Sequence, residues 1–312
     1  MAVTLSRDKH AAMTSPTITA AASGTWTLGD LTVNRIGFGA MRLPQTGPAL
    51  VPGAAPRDRD QAIGVLRRTV ELGVNHIDTA AFYFSPLRSA NELINRALAP
   101  YPDDLVIATK VGQPRDPSGA WLPHAGPGQL RGLVEENLRQ LGRDHLDLVN
   151  LRIVGPDSVA ERFGVLAGLR EAGLIRHLGL SNVQPHQLAE AQGIAPVVCV
   201  QNMYGLGVRP DQDDFVRHCG GQGVAFVPFY SIAADGRQGG AGGAEHPEVL
   251  AVARVHGVAP AQVRIAWTLQ RGPHLLAIPG TGDPDHLAAN VAAGALRLSA
   301  DELALLDALH HR

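Results

Sequence analysis

Three side chains have the types and placement to move a proton onto a reacting oxygen: Asp78, Tyr83 and Lys110. Asp78 and Tyr83 fall late in the apolar run VNHIDTAAFY, and Lys110 ends LVIATK. If both runs are strands of a parallel sheet, a carboxylate, a phenol and an ammonium gather at one end of it. A buried tyrosine flanked by a lysine, with a carboxylate to orient the lysine, is expected to have its pKa drawn below the reference value of about 10. Such a phenol can protonate a carbonyl oxygen while a hydride reaches the carbon. Reduction of an aldehyde or ketone is the chemistry the trio suggests. Taken singly, Asp78 and Lys110 read as well as structural ion-pair or turn residues; it is their conjunction with Tyr83 that points to a site.

The elements that must position them follow from apolar spacing. A strand pair, TWTLG and LTVNRIG, precedes eight compact apolar runs: RIGFG, NHID, LVIATK, LDLVNL, RHLGLS, VVCVQN, VAFVP and LLAIPG. Between them the chain turns helical in period. Ile63, Leu66 and Val70 share a face before Gly73, and Leu130, Val134, Leu138 and Leu141 share one before Gly142. Eight strands alternating with amphipathic helices predict an α/β fold, a (β/α)8 TIM barrel over residues 24–312 as a single domain, with an N-terminal β-hairpin. Asp78, Lys110, Arg152, Ser181, Asn182, Gln201 and Tyr230 then fall at or just beyond strand carboxyl ends, where such barrels place their sites. The rival doubly wound dinucleotide fold needs a glycine fingerprint, but after Gly37 and Gly39 the third position holds Arg42. The stretch ADGRQGGAGG, 234–243, is expected as a loop after the seventh strand, either folding over a cofactor or simply solvated.

Composition narrows the partners. With 45% apolar residues and a net charge of −2, the chain can bury a large core and has no basic stripe for nucleic acid. No run approaches the roughly 18 apolar residues that span a bilayer. Residues 1–23, broken by Ser15 and Pro16, lack the apolar core of a secretory signal and read as a disordered extension. Cys199 and Cys219 are the only cysteines, which fits a reduced, cytoplasmic protein. None of the 13 histidines shows HxxxH or HExxH spacing, so no metal is expected. His76 reads as a barrel histidine and His310 and His311 as solvated terminal residues. A small-molecule carbonyl is the expected partner, and a monomer the default state.

The motifs NHIDTAAFY, VIATK, LGRDHLDLVNL, GLIRHLGLSN, VQNMY and LLAIPGT with a following HL and Asn290 resemble, in order and spacing, the aldo-keto reductase superfamily from about residue 26 onward. The resemblance implies a barrel that binds a nicotinamide cofactor at its carboxyl face without a dinucleotide fold. It makes Tyr83 the general acid, Lys110 its activating cation and Asp78 the carboxylate paired with Lys110. It gives Ser181, Asn182 and Gln201 to the nicotinamide carboxamide and Tyr230, followed by Ser231, to the face of the ring, although Ser181 and Asn182 would equally suit the cap of the next helix. Gly280, Thr281, His286 and Asn290 match the segment beside the adenosine phosphate, where Asp283 as N-cap and Pro284 open a helix with amides for an anion. NADPH is expected ahead of NADH on the superfamily's habit.

One position departs from the common pattern. Where most members carry histidine after the fourth strand, LVNLRIVGP has Arg152. Guanidinium stays charged and cannot act as a base, yet it can polarise a carbonyl and stabilise developing negative charge. The superfamily branch that keeps this arginine includes bacterial pyridoxal reductases, and PRDRDQAIGVLRRTVELGVNHID, DDLVIATK and LDLVNLR resemble it closely. The expected function is therefore NADPH-dependent reduction of an aldehyde or ketone, pyridoxal to pyridoxine among them; the alternative is a catalytically weak cofactor-binding sensor or scaffold.

Overall fold

The computed structural model describes residues 18–232 and 245–312. The glycine-rich stretch 234–243 and the first 17 residues lie outside them. A hairpin of β1 (Thr25–Leu28) and β2 (Leu31–Asn34) leads into a curled parallel sheet. Its staves are β3 (Phe38–Gly39), β4 (His76–Asp78), β7 (Val106–Val111), β8 (Leu146–Arg152), β9 (Ile175–Ser181), β10 (Val197–Gln201) and β11 (Ala225–Phe226), hydrogen-bonded in that order. A short hairpin, β5 (Phe84–Ser85) with β6 (Arg88–Ser89), lies beyond β4. The outer ring is built from α1 (Arg59–Glu71), α2 (Ala90–Leu98), α3 (Pro127–Leu141), α4 (Ala160–Glu171), α5 (Pro185–Gln192), α6 (Asp213–Gly221), α8 (Pro260–Gln270) and α9 (Pro284–Ala292), joined by α7 (Pro247–His256) and α10 (Ala300–His310).

The eighth stave is not a regular strand. Leu275 bridges Phe226 and Ala277 bridges Ile36, with Leu276 N–H donating to the Phe226 carbonyl (3.0 Å) and Gly37 N–H to that of Ala277 (2.8 Å). LLAIPG therefore closes the barrel as expected, but through isolated bridges, because the first and last staves meet over so few residues. At this seam a Cβ on Gly280 would lie 2.3 Å from the Gly39 carbonyl oxygen, so only glycine permits the approach.

Every residue of β7 is buried because the strand has apolar neighbours on both sides. Ile107 and Val111 join the layer beneath the helices, while Val106 and Ala108 join Leu148, Cys199, Ala225 and Leu276 inside the barrel. Leu28 and Val33 of the hairpin plug the amino end of that interior. Asp30, at the hairpin turn, is clamped by Arg176 (2.7 Å) and His177 (2.5 Å) of β9, and Arg176 first among them holds its carboxyl well below the usual range.

Behind the carboxyl end of the sheet, Thr79 and Thr109 face outward. Thr79 Oγ1 donates to Asn91 Oδ1 (2.7 Å), and Thr109 Oγ1 donates to Asn137 Oδ1 (2.6 Å), which also accepts from Asn91 Nδ2 (3.0 Å). The neighbours of Asp78 and Lys110 are thereby tied to α2 and α3.

Two sequence expectations need correction. Order begins before residue 24: Ala20–Ser23 form a 3-10 turn, with Ala20 N–H on the Leu72 carbonyl (2.9 Å) and Ser23 Oγ accepting from Ile36 N–H (3.0 Å). His310 is buried, not solvated, because Nδ1 accepts from Gly207 N–H (3.1 Å) and Nε2 donates to Asp213 (3.3 Å); His311 is exposed. Asp213, His310 and His311 do form a group with metal-ligand atoms close together, but the Tyr204 hydroxyl (2.6 Å) and the Arg271 guanidinium (3.6 Å) compete for the same carboxylate. Among the described residues no helix is long and apolar enough to cross a membrane.

His76 lies on the same face of β4 as Asp78, and burial pushes its pKa down to about 4. It is neutral in the folded barrel and titrates near 6.5 when unfolded. Stability is therefore lost as pH falls through 6.5 toward 4, by about 3 kcal/mol in all. Urea unfolding at pH 7 and pH 4 should show a smaller loss for His76→Leu than for the wild type; equal losses would remove this role. Asn137→Leu should cost about 1–3 kcal/mol for each donor it orphans, read as a lower urea midpoint.

Candidate active site

Strand register assembles the site. Asp78 at the end of β4 is level with Ala108, and Lys110 stands two residues further along β7 on the same face. The ammonium thus rises over the carboxylate, with Nζ 2.8 Å from Oδ1 and 2.6 Å from Oδ2, and a further bond to the Thr79 carbonyl at 3.1 Å. Both side chains are 5% exposed. Burial pulls the Lys110 pKa down, but Asp78 and Tyr83 outweigh it and the net direction is up. Gln201 Nε2 donates to Asp78 Oδ1 (2.8 Å), while Gln201 Oε1 is buried without a hydrogen-bond partner.

Tyr83 sits in the turn after β4, its N–H on the Ala80 carbonyl and its carbonyl accepting from Ala90 N–H, both at 2.9 Å. Its ring centroid is 4.9 Å from Lys110 Nζ. The expected lowering of the phenol pKa does not appear. Burial pushes it up; Lys110 opposes this, but Asp78 has already neutralised much of that ammonium and adds to the rise. Tyr83 is held as the neutral, proton-bearing phenol.

Arg152 ends β8 level with Ser181 of β9, which is level with Gln201 of β10. Its Nη1 donates to Gln113 Oε1 (2.5 Å), and its guanidinium lies 4.9 Å from the Trp121 centroid and 5.8 Å from that of Phe82. The Asp78 carboxylate is engaged by Lys110 and Gln201. Burial lowers the Arg152 pKa, with Tyr83 and Tyr230 acting against it; a guanidinium so placed remains charged.

One cleft over the carboxyl end of the barrel brings together Asp78, Tyr83, Lys110, Arg152, Ser181, Gln201, Tyr230, Ser231 and Gly280. Tyr230 holds a left-handed backbone, φ +65°, a conformation that costs a non-glycine residue about 1–3 kcal/mol and recurs at functional sites. The remaining residues stand apart. Asn182, at φ +60°, donates to the Ile153 carbonyl (2.9 Å) and lines an adjoining recess, while the N-cap of α5 is Gln184. Thr281 Oγ1 accepts from Asp283 N–H (3.0 Å), His286 is exposed in the first turn of α9, and Asn290 is buried further along it. Asp283 does cap α9, but its Oδ1 takes the Asp285 (2.8 Å) and His286 (3.1 Å) amides that sequence had offered to a phosphate.

Sequence reading missed four residues here. Phe82, Gln113 and Trp121 surround Arg152 from loops that carry no periodic signal. Arg57, ahead of α1, reaches across to the carbonyls of Gly282 (3.5 Å), Arg42 (3.4 Å) and Gln45 (3.0 Å), and so places a cation beside the 280–283 loop. The buried, unpartnered Gln201 Oε1 and the open cleft beside it fit a group that brings an amide N–H and a planar ring.

The Aldo/keto reductase family model matches residues 35–311. Pyridoxine 4-dehydrogenase of Escherichia coli K12 is 44% identical over 294 residues, covering 92% of this chain and 98% of that protein. An uncharacterised oxidoreductase of Schizosaccharomyces pombe is 38% identical, covering 94% and 92%. Among solved structures, an aldo-keto reductase from Klebsiella pneumoniae in complex with NADPH superposes with a TM-score of 0.75 at 26% identity, over 92% of this chain and 94% of that one. The chain belongs to the aldo/keto reductase family. It is a nicotinamide-dependent oxidoreductase on the (β/α)8 barrel.

Breaking a buried ion pair from one side strands a charge. Lys110→Met should cost about 3–5 kcal/mol, and adding Asp78→Asn should recover part of it. Strictly additive losses in urea unfolding of the two single variants and the double variant would mean that the pair is not coupled.

Proposed function

We propose that this protein is an NADPH-dependent carbonyl reductase whose substrates include aromatic aldehydes of the pyridoxal type. The observation that carries the reading is the buried phenol of Tyr83 beside the Lys110–Asp78 pair, in the same cleft as the Arg152 guanidinium. When bound in the cleft, a reduced nicotinamide would supply the hydride for the carbonyl carbon. Tyr83 gives its phenolic proton to the carbonyl oxygen, and Lys110 stabilises the phenolate that this leaves. Arg152 polarises the same oxygen and offsets the charge that develops on it. Asp78 keeps Lys110 oriented and Gln201 keeps Asp78 in place.

Residues suited to hold the cofactor are Ser181, Gln201, Tyr230, Ser231 and Gly280 around the cleft, with Asn182, Thr281, His286 and Asn290 further out. Gln201 Oε1 offers an acceptor to a carboxamide, and the Tyr230 ring a face for the nicotinamide. Preference for NADPH is supported by the Klebsiella relative's complex and by Arg57, a cation beside the 280–283 loop. The capped α9 amides do not contribute to it.

Support for a pyridoxal-type substrate comes from the E. coli relative's name and from the cleft itself. Trp121 and Phe82 flank Arg152, giving a planar ring two aromatic walls and its phenolic oxygen a cation. A sensor or scaffold would have no chemical use for the buried trio. Both free cysteines are buried, which suits a reducing cytoplasm.

The test is NADPH absorbance decay with pyridoxal, then with a panel of aromatic and aliphatic aldehydes. Tyr83→Phe should lose at least about 100-fold in kcat while keeping NADPH affinity. Arg152→Ala should lower kcat more than it weakens NADPH binding. Tight NADPH binding with no turnover of any aldehyde would sink the proposal.

A further inference from the structure

Arg115 is a buried cation that the proposed chemistry does not use. It lies in the turn Pro114–Leu122, 8% exposed, and spends its guanidinium on backbone carbonyls. Nε donates to Gly119 (2.9 Å), Nη1 to both Phe82 and Phe84 (3.1 Å each), and Nη2 to Val51 (3.5 Å). The plane also covers the Phe84 ring at 4.6 Å. Asp116 does not claim it by hydrogen bond; its carboxylate closes the turn by accepting from Ser118 Oγ (2.6 Å) and Ala120 N–H (3.0 Å). Gly119, at φ +91°, leaves the room, since a Cβ there would lie 2.6 Å from Arg115 Nη2.

Phe82 and Phe84 are the residues on either side of Tyr83. One nitrogen therefore fixes the carbonyl before the phenol-bearing residue and the carbonyl after it. The other end of the same loop serves Arg152. Gln113, which accepts from Arg152, donates its own amide to the Leu122 carbonyl (3.1 Å), and Trp121 lies against the Arg152 guanidinium. Only a planar fork can span these carbonyls together; an ammonium is a point donor on a flexible stem.

We propose that Arg115 is a positioning residue for carbonyl reduction, fixing the Tyr83 phenol and the Arg152 guanidinium at one separation across the substrate oxygen. This rests on the function proposed above. Misplacement by about 1 Å at a reacting centre can cost about 100-fold, so the loss should appear in turnover rather than in cofactor binding.

The experiment compares Arg115→Lys and Arg115→Met with wild type and Tyr83→Phe, all loaded with NADPH. Arg115→Lys should lower kcat by about 10- to 100-fold. NADPH affinity, read by fluorescence, should stay within about threefold, and amide exchange across 80–90 should quicken, including the Tyr83 and Ala90 amides. Unchanged kcat in Arg115→Lys, or a kcat loss matched by an equal loss of NADPH affinity, overturns the proposal. If Arg115→Met does not fold, Arg115→Lys decides. If wild type turns over no carbonyl, the functional reading has failed on its own, and exchange across 80–90 still decides whether Arg115 holds Tyr83: unchanged exchange overturns that too.

Discussion

The buried ion pair between Lys110 and Asp78 is the constraint around which the active end is built. Moving two charges out of water costs several kcal/mol each, recovered only when geometry and extra hydrogen bonds are good. Here the carboxylate takes both contacts from Nζ and a third bond from Gln201, while Nζ also meets the Thr79 carbonyl. That geometry needs β4 and β7 in one register, and the register is held from behind by Thr79 and Thr109 through Asn91 and Asn137. The alternation of a strand puts the charge on one face and its anchor on the other, one residue away.

Much of this was legible in the sequence, because the periodicities that separate strand from helix also fix which way a strand-end residue points. Asp78, Lys110, Arg152, Ser181 and Gln201 could be placed at one end of a barrel from apolar runs alone. The eighth stave was legible as LLAIPG although its pairing is too sparse for a regular strand. Gln113, Trp121 and Arg115 were not legible: they belong to a loop whose shape is set by long-range hydrogen bonds and by Gly119, and no local pattern encodes those. His310 was misread for a similar reason, since a residue two from the chain end is buried only through partners about a hundred positions away, Gly207 and Asp213. The Asp283 cap was foreseen, but that the cap would consume the very amides it exposed requires the hydrogen-bond geometry.

The direction of the Tyr83 shift alters how the trio is understood. A lysine whose charge is already met by a carboxylate does less to acidify a neighbouring phenol than a lone lysine would, and burial then decides the sign. The phenol stays loaded with its proton across the neutral range. In the proposed reduction, what the ammonium offers is felt after the proton leaves, when a phenolate must exist in a dry site. Arg152 fits the same proposal: a cation that cannot give up its proton would serve as fixed electrostatics, with the titrating task left to Tyr83.

The barrel seam has a consequence for how the molecule answers a ligand. The first and last staves are joined by few bridges, with Gly39 and Gly280 in near contact at the top. The cleft is lined on one bank by Gly39 and on the other by Ile278, Pro279 and Gly280. A molecule that fills it therefore touches both ends of an otherwise thinly joined hoop and acts as a clasp across it. By mass action, whatever binds the closed hoop and not the open one tightens it. The enzyme's grip on its ligand and the barrel's grip on itself are in that sense one quantity.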